Sequence, residues 1–243
     1  MTSRQRADRL LVSRGLFESR ALAQAAITAG LVTADGVLVR KASQEISANA
    51  AVVANRPHPY VSRGGIKLAA ALDHYRVDVT GRVCLDVGAS TGGFSEVLLL
   101  RGAKRVYSVD VGHGQLHASL RSRSEIVSLE KTDIRSLEPS RLVEVPDLAT
   151  VDVSFISLKL VLPAIAKLLQ STATIIALIK PQYEVARRDA KKGIVRSESA
   201  RAAACQEIAT SLRGRGWLVS NPIPSPILGG DGNVEYLIEA ERG

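Results

Sequence analysis

The chain is poor in several things at once. Its 243 residues include two cysteines, one methionine and one tryptophan, and aromatic side chains make up 4%. Cys84 and Cys205 each lie among apolar or small neighbours, so neither a disulfide framework nor a multi-cysteine metal site can be drawn, and no metal is expected. No uninterrupted apolar run approaches the roughly 20 residues that a membrane span needs. The opening MTSRQRADRLLVSRG lacks a long apolar segment followed by small residues, so it does not read as a secretory leader. The expectation is therefore a cytoplasmic protein with no membrane partner. Gly-Lys-Ser and Gly-Lys-Thr are also missing, which excludes a P-loop for nucleoside triphosphates.

What is present suffices for an ordinary core: 46% of the residues are hydrophobic and 23% charged. The length suits one large domain or a large and a small one. Of 32 basic and 24 acidic side chains, nine basic and four acidic fall within residues 1–63, so the first quarter carries most of the positive excess. That is how the footprint of a polyanion-binding module looks, and equally how a solvated basic face looks.

Organisation follows from periodicity. RADRLLVSRG and ESRALAQAAITAG carry apolar residues at three-to-four-residue spacing and end on glycine, as short helices with one buried face do. Asp35-Gly36 between two β-rich stretches predicts a tight hairpin turn. These elements form a small α+β domain over 1–54, too small to house chemistry and suited to binding. The prolines of ANRPHPY mark a linker, placed at 55–63, and the remaining 64–243 is a second domain. There helical stretches alternate with strands at RVCLDVG, RVYSVDV, IVSLEK, LATVDVSF and TIIALIK, which predicts a Rossmann-like parallel sheet covered on both faces. WLVSNPIPSP and NVEYLIEAER predict a terminal antiparallel hairpin at the sheet edge.

The motif with the most chemical content is Asp86-Val87-Gly88-Ala89-Ser90-Thr91-Gly92-Gly93-Phe94, between the first strand and the next helix. Glycines there let the backbone approach a ligand, and the helix start offers free amides. Asp110 ends the following strand, close to the spacing of ~20 residues at which an acid meets a ribose in nucleotide-binding folds. Asp133 follows the third strand and could accept from an adenine amine. The pattern favours an adenosine-containing cofactor; the competing explanation is a turn needed only for packing. Ser90 stands where a dinucleotide fingerprint needs its second glycine, and an acid at the head of the loop suits a cationic cofactor such as S-adenosylmethionine better than the diphosphate of NAD. A second set is dispersed: Lys67 early in a helix, Asp152 and Lys180 at strand ends, and Glu235 in the final strand segment. Strand ends are where open α/β sheets bind ligands, while any one of these residues alone reads equally as a structural ion pair.

YVSRGGIK, DVGASTGGF, VDVSFISL, ALIKPQYE, KKGIVRS and GGDGNVEYL, in that order, resemble the hemolysin-type TlyA family of ribosomal RNA 2'-O-methyltransferases, relatives of the FtsJ methyltransferases. The N-terminal stretch resembles the RNA-binding module named after ribosomal protein S4. The resemblance covers almost the whole chain. It implies a seven-stranded methyltransferase sheet, S-adenosylmethionine held by residues 86–94 with Asp110 and Asp133, and ribosomal RNA within ribosomal subunits as partner, with a cytidine ribose as target. It also implies that Lys67, Asp152, Lys180 and Glu235 form the catalytic lysine–aspartate–lysine–glutamate set. Lys180 would then manage the ribose proton, Asp152 orient Lys180, and Lys67 and Glu235 tune the centre. Arg4, Arg6, Arg9, Arg14, Arg20, Arg40 and Lys41 would meet RNA phosphates, with Arg63, Arg187, Arg188, Lys191 and Lys192 extending the track. The alternatives are a non-catalytic RNA-binding or assembly protein, a haemolysin-like activity and an NAD-dependent oxidoreductase.

Overall fold

The computed structural model describes residues 3–243, apart from the Arg187 side chain. The chain divides into two compact units, one through Pro59 and one from Tyr60 to Gly243. The expected linker is thus shared out, 55–59 to the first unit and 60–63 to the second.

In the small unit the elements run β1 (Arg4–Arg6), α1 (Ala7–Ser13), α2 (Arg20–Thr28), β2 (Val32–Ala34), β3 (Val37–Leu38), β4 (Glu45–Ser47) and β5 (Val52–Ala54). Both helices lie where the periodicity puts them. Ser19 caps α2, its hydroxyl accepting from the Leu22 amide at 3.3 Å. Asp35 and Gly36 turn β2 into β3 with φ of 51° and 76°, the left-handed pair that a tight hairpin requires. Strand β1 pairs antiparallel with β4, a long-range pairing that local patterns do not reveal, and β3-β2-β5 form a second small sheet. Leu10, Leu11, Phe17, Ile27, Val32 and Val39 fill the core between them.

The large unit comprises α3 (Gly64–Tyr75), β6 (Val83–Val87), α4 (Gly93–Leu100), β7 (Arg105–Val109), α5 (Ala118–Arg121), β8 (Ile126–Leu129), β9 (Leu148–Val151), α6 (Leu158–Leu168), β10 (Ala173–Ile179), α7 (Pro181–Glu184), α8 (Glu198–Arg213), β11 (Leu218–Val219), β12 (Ile223–Pro224) and β13 (Tyr236–Arg242). The sheet runs β11-β13-β10-β9-β6-β7-β8, seven strands in order, with β12 pairing beside β11 on β13. From β6 to β10 the strands are parallel, and β6, β9 and β10 are buried on both faces. Val161 and Ile165 of α6 with Ile208 and Leu212 of α8 cover one face. On the other, Leu68 and Leu72 of α3 with Val97 and Leu98 of α4 pack over Cys84, Val106 and Ile176. The chain steps outward from β6 to β8 and then returns to the other side of β6 as β9. The reversal leaves a crevice beyond the carboxyl ends of β6 and β9, the usual ligand position in such sheets.

The structure corrects two local expectations. The run LATVDVSF leaves the sheet at Val151, and residues 152–155 turn to form a wall of the crevice. WLVSNPIPSP is not one strand: three residues separate Val219 from Ile223 where their partners Ala240 and Leu237 are separated by two. That surplus residue is a bulge, next to Pro222, which has no N–H to give the ladder. Strand β13 itself lies inside the sheet, antiparallel between β10 and β11.

Candidate active site

Backbone geometry builds the loop after β6. Gly88 has φ of 84°, and a side chain there would strike the Asp152 carbonyl, so only glycine lets the tops of β6 and β9 come together. Gly92, at φ 97°, begins α4 without any side-chain cap, which leaves the first-turn amides for a ligand. Ala89, Ser90, Thr91, Gly93 and Phe94 border a cavity of about 240 Å³ together with Lys67. A second cavity of about 550 Å³, within the size range of cofactor sites, carries Asp110, Asp133 and Phe155 on its wall. Gly88, Ser90 and Asp152 border both.

Asp86 departs from the expectation that it meets a cofactor. It is fully buried and borders neither cavity. Its carboxylate accepts from Ser95 Oγ of α4 at 2.6 Å and from Thr150 Oγ1 of β9 at 3.0 Å, while Ser95 Oγ lies 2.7 Å from Ser108 Oγ of β7. Burial raises its pKa to about 7, against the pull of those hydroxyls. Asp86 therefore ties the loop base to two strands and a helix.

Asp110 and Asp133 do face the larger cavity. Asp110 accepts from the Ser90 amide at 2.8 Å and the Gly112 amide at 2.7 Å, which fixes the carboxylate at the cavity edge. Asp133 receives Arg135 in a forked pair, 2.6 Å at its closest, and that guanidinium holds its carboxyl below the usual carboxylate range. Any adenine contact by Asp133 would share the carboxylate with Arg135.

Strand register assembles the dispersed set. Ala177 pairs with Val151 and Ile179 with Tyr236, so Asp152, Lys180 and Glu235 leave the sheet side by side from β9, β10 and β13. Lys180 Nζ lies 2.7 Å from Asp152 Oδ1 and donates to Ser154 Oγ at 2.8 Å. Lys67, on α3, donates to Glu235 Oε2 at 2.5 Å in a buried pair. Lys67 and Asp152 border the same small cavity, so each ion pair presents one member to it. Such an arrangement can hold a hydroxyl, stabilise negative charge on its oxygen and pass on a proton.

Three features of the site escape sequence reasoning. Ser154, in the segment read as strand, is the second partner of Lys180. Phe155 is 89% exposed on the rim of the larger cavity, with φ of 64° and its ring 5.3 Å from that of Tyr183. A strained, solvated aromatic beside a cleft is a binding signal, but it is visible only once the strand is known to end at Val151. Gly229 supplies space: a Cβ there would lie 2.9 Å from Glu235 Cδ.

The expected RNA contacts divide in two. Arg9, Arg40, Lys41, Arg63, Arg188, Lys191 and Lys192 are exposed, whereas the Arg187 side chain lies outside the described residues. Arg4 gives Nη2 to the Glu45 carbonyl at 2.7 Å, and Arg14 spans the carbonyls of Ala48 and Ala50. Arg6 and Arg20 both bind Asp8.

A parallel sheet with an uncapped glycine loop at its switch point, acids on the next strand ends and lysine–carboxylate pairs above them define a Rossmann-like methyltransferase. The chain belongs to the FtsJ-like methyltransferases, whose family model matches residues 60–242, and an S4 domain model matches residues 5–52. It is 43% identical, over 98% of its length and 90% of the relative's, to the 16S/23S rRNA (cytidine-2'-O)-methyltransferase TlyA of Mycobacterium tuberculosis. Against Hemolysin A of Brachyspira hyodysenteriae it is 38% identical, over 96% of this chain and 98% of that one. A solved Streptococcus thermophilus structure described as a hemolysin superposes with a TM-score of 0.79 at 39% identity, covering 100% of this chain and 90% of that one. Family membership replaces the oxidoreductase and non-catalytic readings. Among the described residues no helix is long and apolar enough to cross a membrane.

Proposed function

We propose that this methyltransferase modifies a ribose 2'-hydroxyl of ribosomal RNA, a cytidine as in the tubercle-bacillus relative, with S-adenosylmethionine as donor and the residues 1–54 as the RNA-holding domain. The observation that carries the reading is that one member of each ion pair, Lys67 and Asp152, borders the same small cavity, while Asp152 also borders the larger one. A cavity wall with Asp110, Asp133 and Asp152, whose cation Arg135 is already taken by Asp133, suits a positively charged cofactor and repels a diphosphate. Asp110 would hold its ribose, the loop amides from Gly88 to Phe94 its amino-acid end, and Asp133 the adenine edge. S-adenosylmethionine supplies an electrophilic methyl group on sulfonium.

The remaining work falls to this chain's own side chains. A protonated ribose hydroxyl is a poor nucleophile, so its oxygen needs a donor that strengthens as negative charge develops. Lys180 gives one N–H to Ser154 and is held by the charge of Asp152, 2.7 Å away, so it keeps donors for that oxygen. The hydroxyl proton passes to the coupled Lys180–Asp152 pair, and Lys67 with Glu235 fixes the opposite wall. Phe155 and Tyr183 offer aromatic faces to a base at the mouth.

The test is methyl transfer from labelled S-adenosylmethionine to intact ribosomal subunits, followed by mapping of ribose methylation. Label on a cytidine 2'-oxygen is expected. Label on a base, or none on either subunit while the cofactor binds, refutes the proposal.

A further inference from the structure

Asp8 is an anomaly in the small unit. It is a carboxylate among the arginines expected to meet RNA, and it is fully buried. Arg6 gives Nε to Oδ1 and Nη2 to Oδ2, both at 3.1 Å. Arg20 approaches from α2 with Nε and Nη2 at 3.2 and 2.7 Å from Oδ2, and Gln24, one turn further along that helix, donates at 3.0 Å. Burial and exposure are divided sharply between the partners: the Asp8 side chain is 0% exposed, Arg6 40% and Arg20 49%.

We propose that Asp8 is a positioning residue of the RNA-binding surface, holding Arg6 and Arg20 as a rigid pair of guanidiniums whose outer edges take neighbouring phosphates of folded RNA. This rests on the reading that the chain acts on ribosomal RNA. Each guanidinium has five N–H donors and gives two to Asp8, so its outward edge keeps the rest for a phosphate fork. The carboxylate does not repel the polyanion, because it lies behind the two cations and one positive charge remains over the trio. A free surface arginine must be immobilised when a phosphate binds; here the fold has already done so. Placing the arginines on β1 and α2 and their holder on α1 makes the spacing a property of the unit's core, not of its solvent layer.

Asp8 also joins three elements, and the test separates that structural contribution from positioning. Full-length wild type, Asp8→Asn, the double variant Arg6→Lys with Arg20→Lys, and the triple combination are titrated with ribosomal RNA transcript and with intact subunits. Circular dichroism and affinity for S-adenosylmethionine serve as controls. Positioning predicts a loss of RNA affinity of about tenfold in Asp8→Asn. The lysine pair keeps the charge but not the fork, and is expected to lose about as much. The triple variant is expected to be no weaker than the double. Undiminished affinity in Asp8→Asn overturns the inference, as does a triple variant whose losses add. Should Asp8→Asn unfold the small unit, the lysine pair decides: wild-type affinity there overturns it. Failure of the wild type to bind ribosomal RNA would sink the functional reading instead, which a wild type that binds beside an indifferent Asp8→Asn does not.

Discussion

The Asp8 ion pairs of the small unit and the ion pairs of the candidate site in the large unit face opposite ways. In the small unit the acid is inside and its basic partners look outward, Asp8 at 0% exposure against 40% for Arg6 and 49% for Arg20. At the candidate site of the large unit both members are withdrawn: 10% and 3% for Lys67 and Glu235, 12% and 21% for Lys180 and Asp152. The first arrangement displays charge and the second concentrates it in a cavity. One suits capture of a large polyanion in salt water, where long-range attraction is screened and multiple contacts are needed. The other suits a single proton and a single oxygen, where low dielectric makes each contact stronger. On the proposed function, binding and chemistry are thus separated at the level of which partner of each pair is left in solvent.

The largest expected effect tests the inward pairs. Lys180→Ala removes the donor proposed for the ribose oxygen, and turnover is expected to fall about a thousandfold while cofactor affinity, measured by calorimetry, stays within about threefold. A variant that keeps full activity breaks the contrast. The outward pairs are probed by salt: raising it from 50 to 200 mM is expected to weaken RNA binding about a hundredfold for four phosphate contacts, and to leave cofactor affinity unchanged. Equal salt sensitivity of both ligands would mean that the units are not divided in this way. Gly229→Ala sharpens the picture, because its new Cβ pushes Glu235 from Lys67; turnover is expected to drop at least tenfold with folding retained. The smallest effect concerns Asp86, whose folded pKa of about 7 exceeds the unfolded value of about 4. Its contribution to stability is fully present below pH 4 and is lost as pH rises through 7. Melting of wild type against Asp86→Asn should therefore shift in the variant's favour by a few degrees between pH 5 and 8. Asp8 has the opposite sign: the Arg6 guanidinium, followed by Arg20 and Gln24, holds its carboxyl well below the usual range, so its contribution is lost only in acid.

Periodicity and glycine placement made most of the fold legible. Alternating apolar runs and helices implied a parallel sheet, and Asp35-Gly36 implied the hairpin that is present. The proposed catalytic set is legible only through motif order, since nothing local says that Lys180 and Glu235 leave neighbouring strands. Strand parity explains the error at Asp86. Leu85 and Val87 face the α6–α8 side, so Asp86 points with Cys84 toward α4, beneath the loop and away from the crevice. Asp8 was hidden for another reason: an acid in the first turn of a helix is explained by the helix dipole alone, and its true partners lie two, twelve and sixteen residues away. Ser154 and Phe155 were lost to a strand read four residues too long.

The placement of β13 between β10 and β11 has a consequence for biosynthesis. Until translation has delivered residues 235–242, β10 is a bare sheet edge and Lys67 has no carboxylate opposite it. A nascent polypeptide hence carries a complete small unit, matched by an S4 domain model, well before β13 covers that edge and sets Glu235 opposite Lys67.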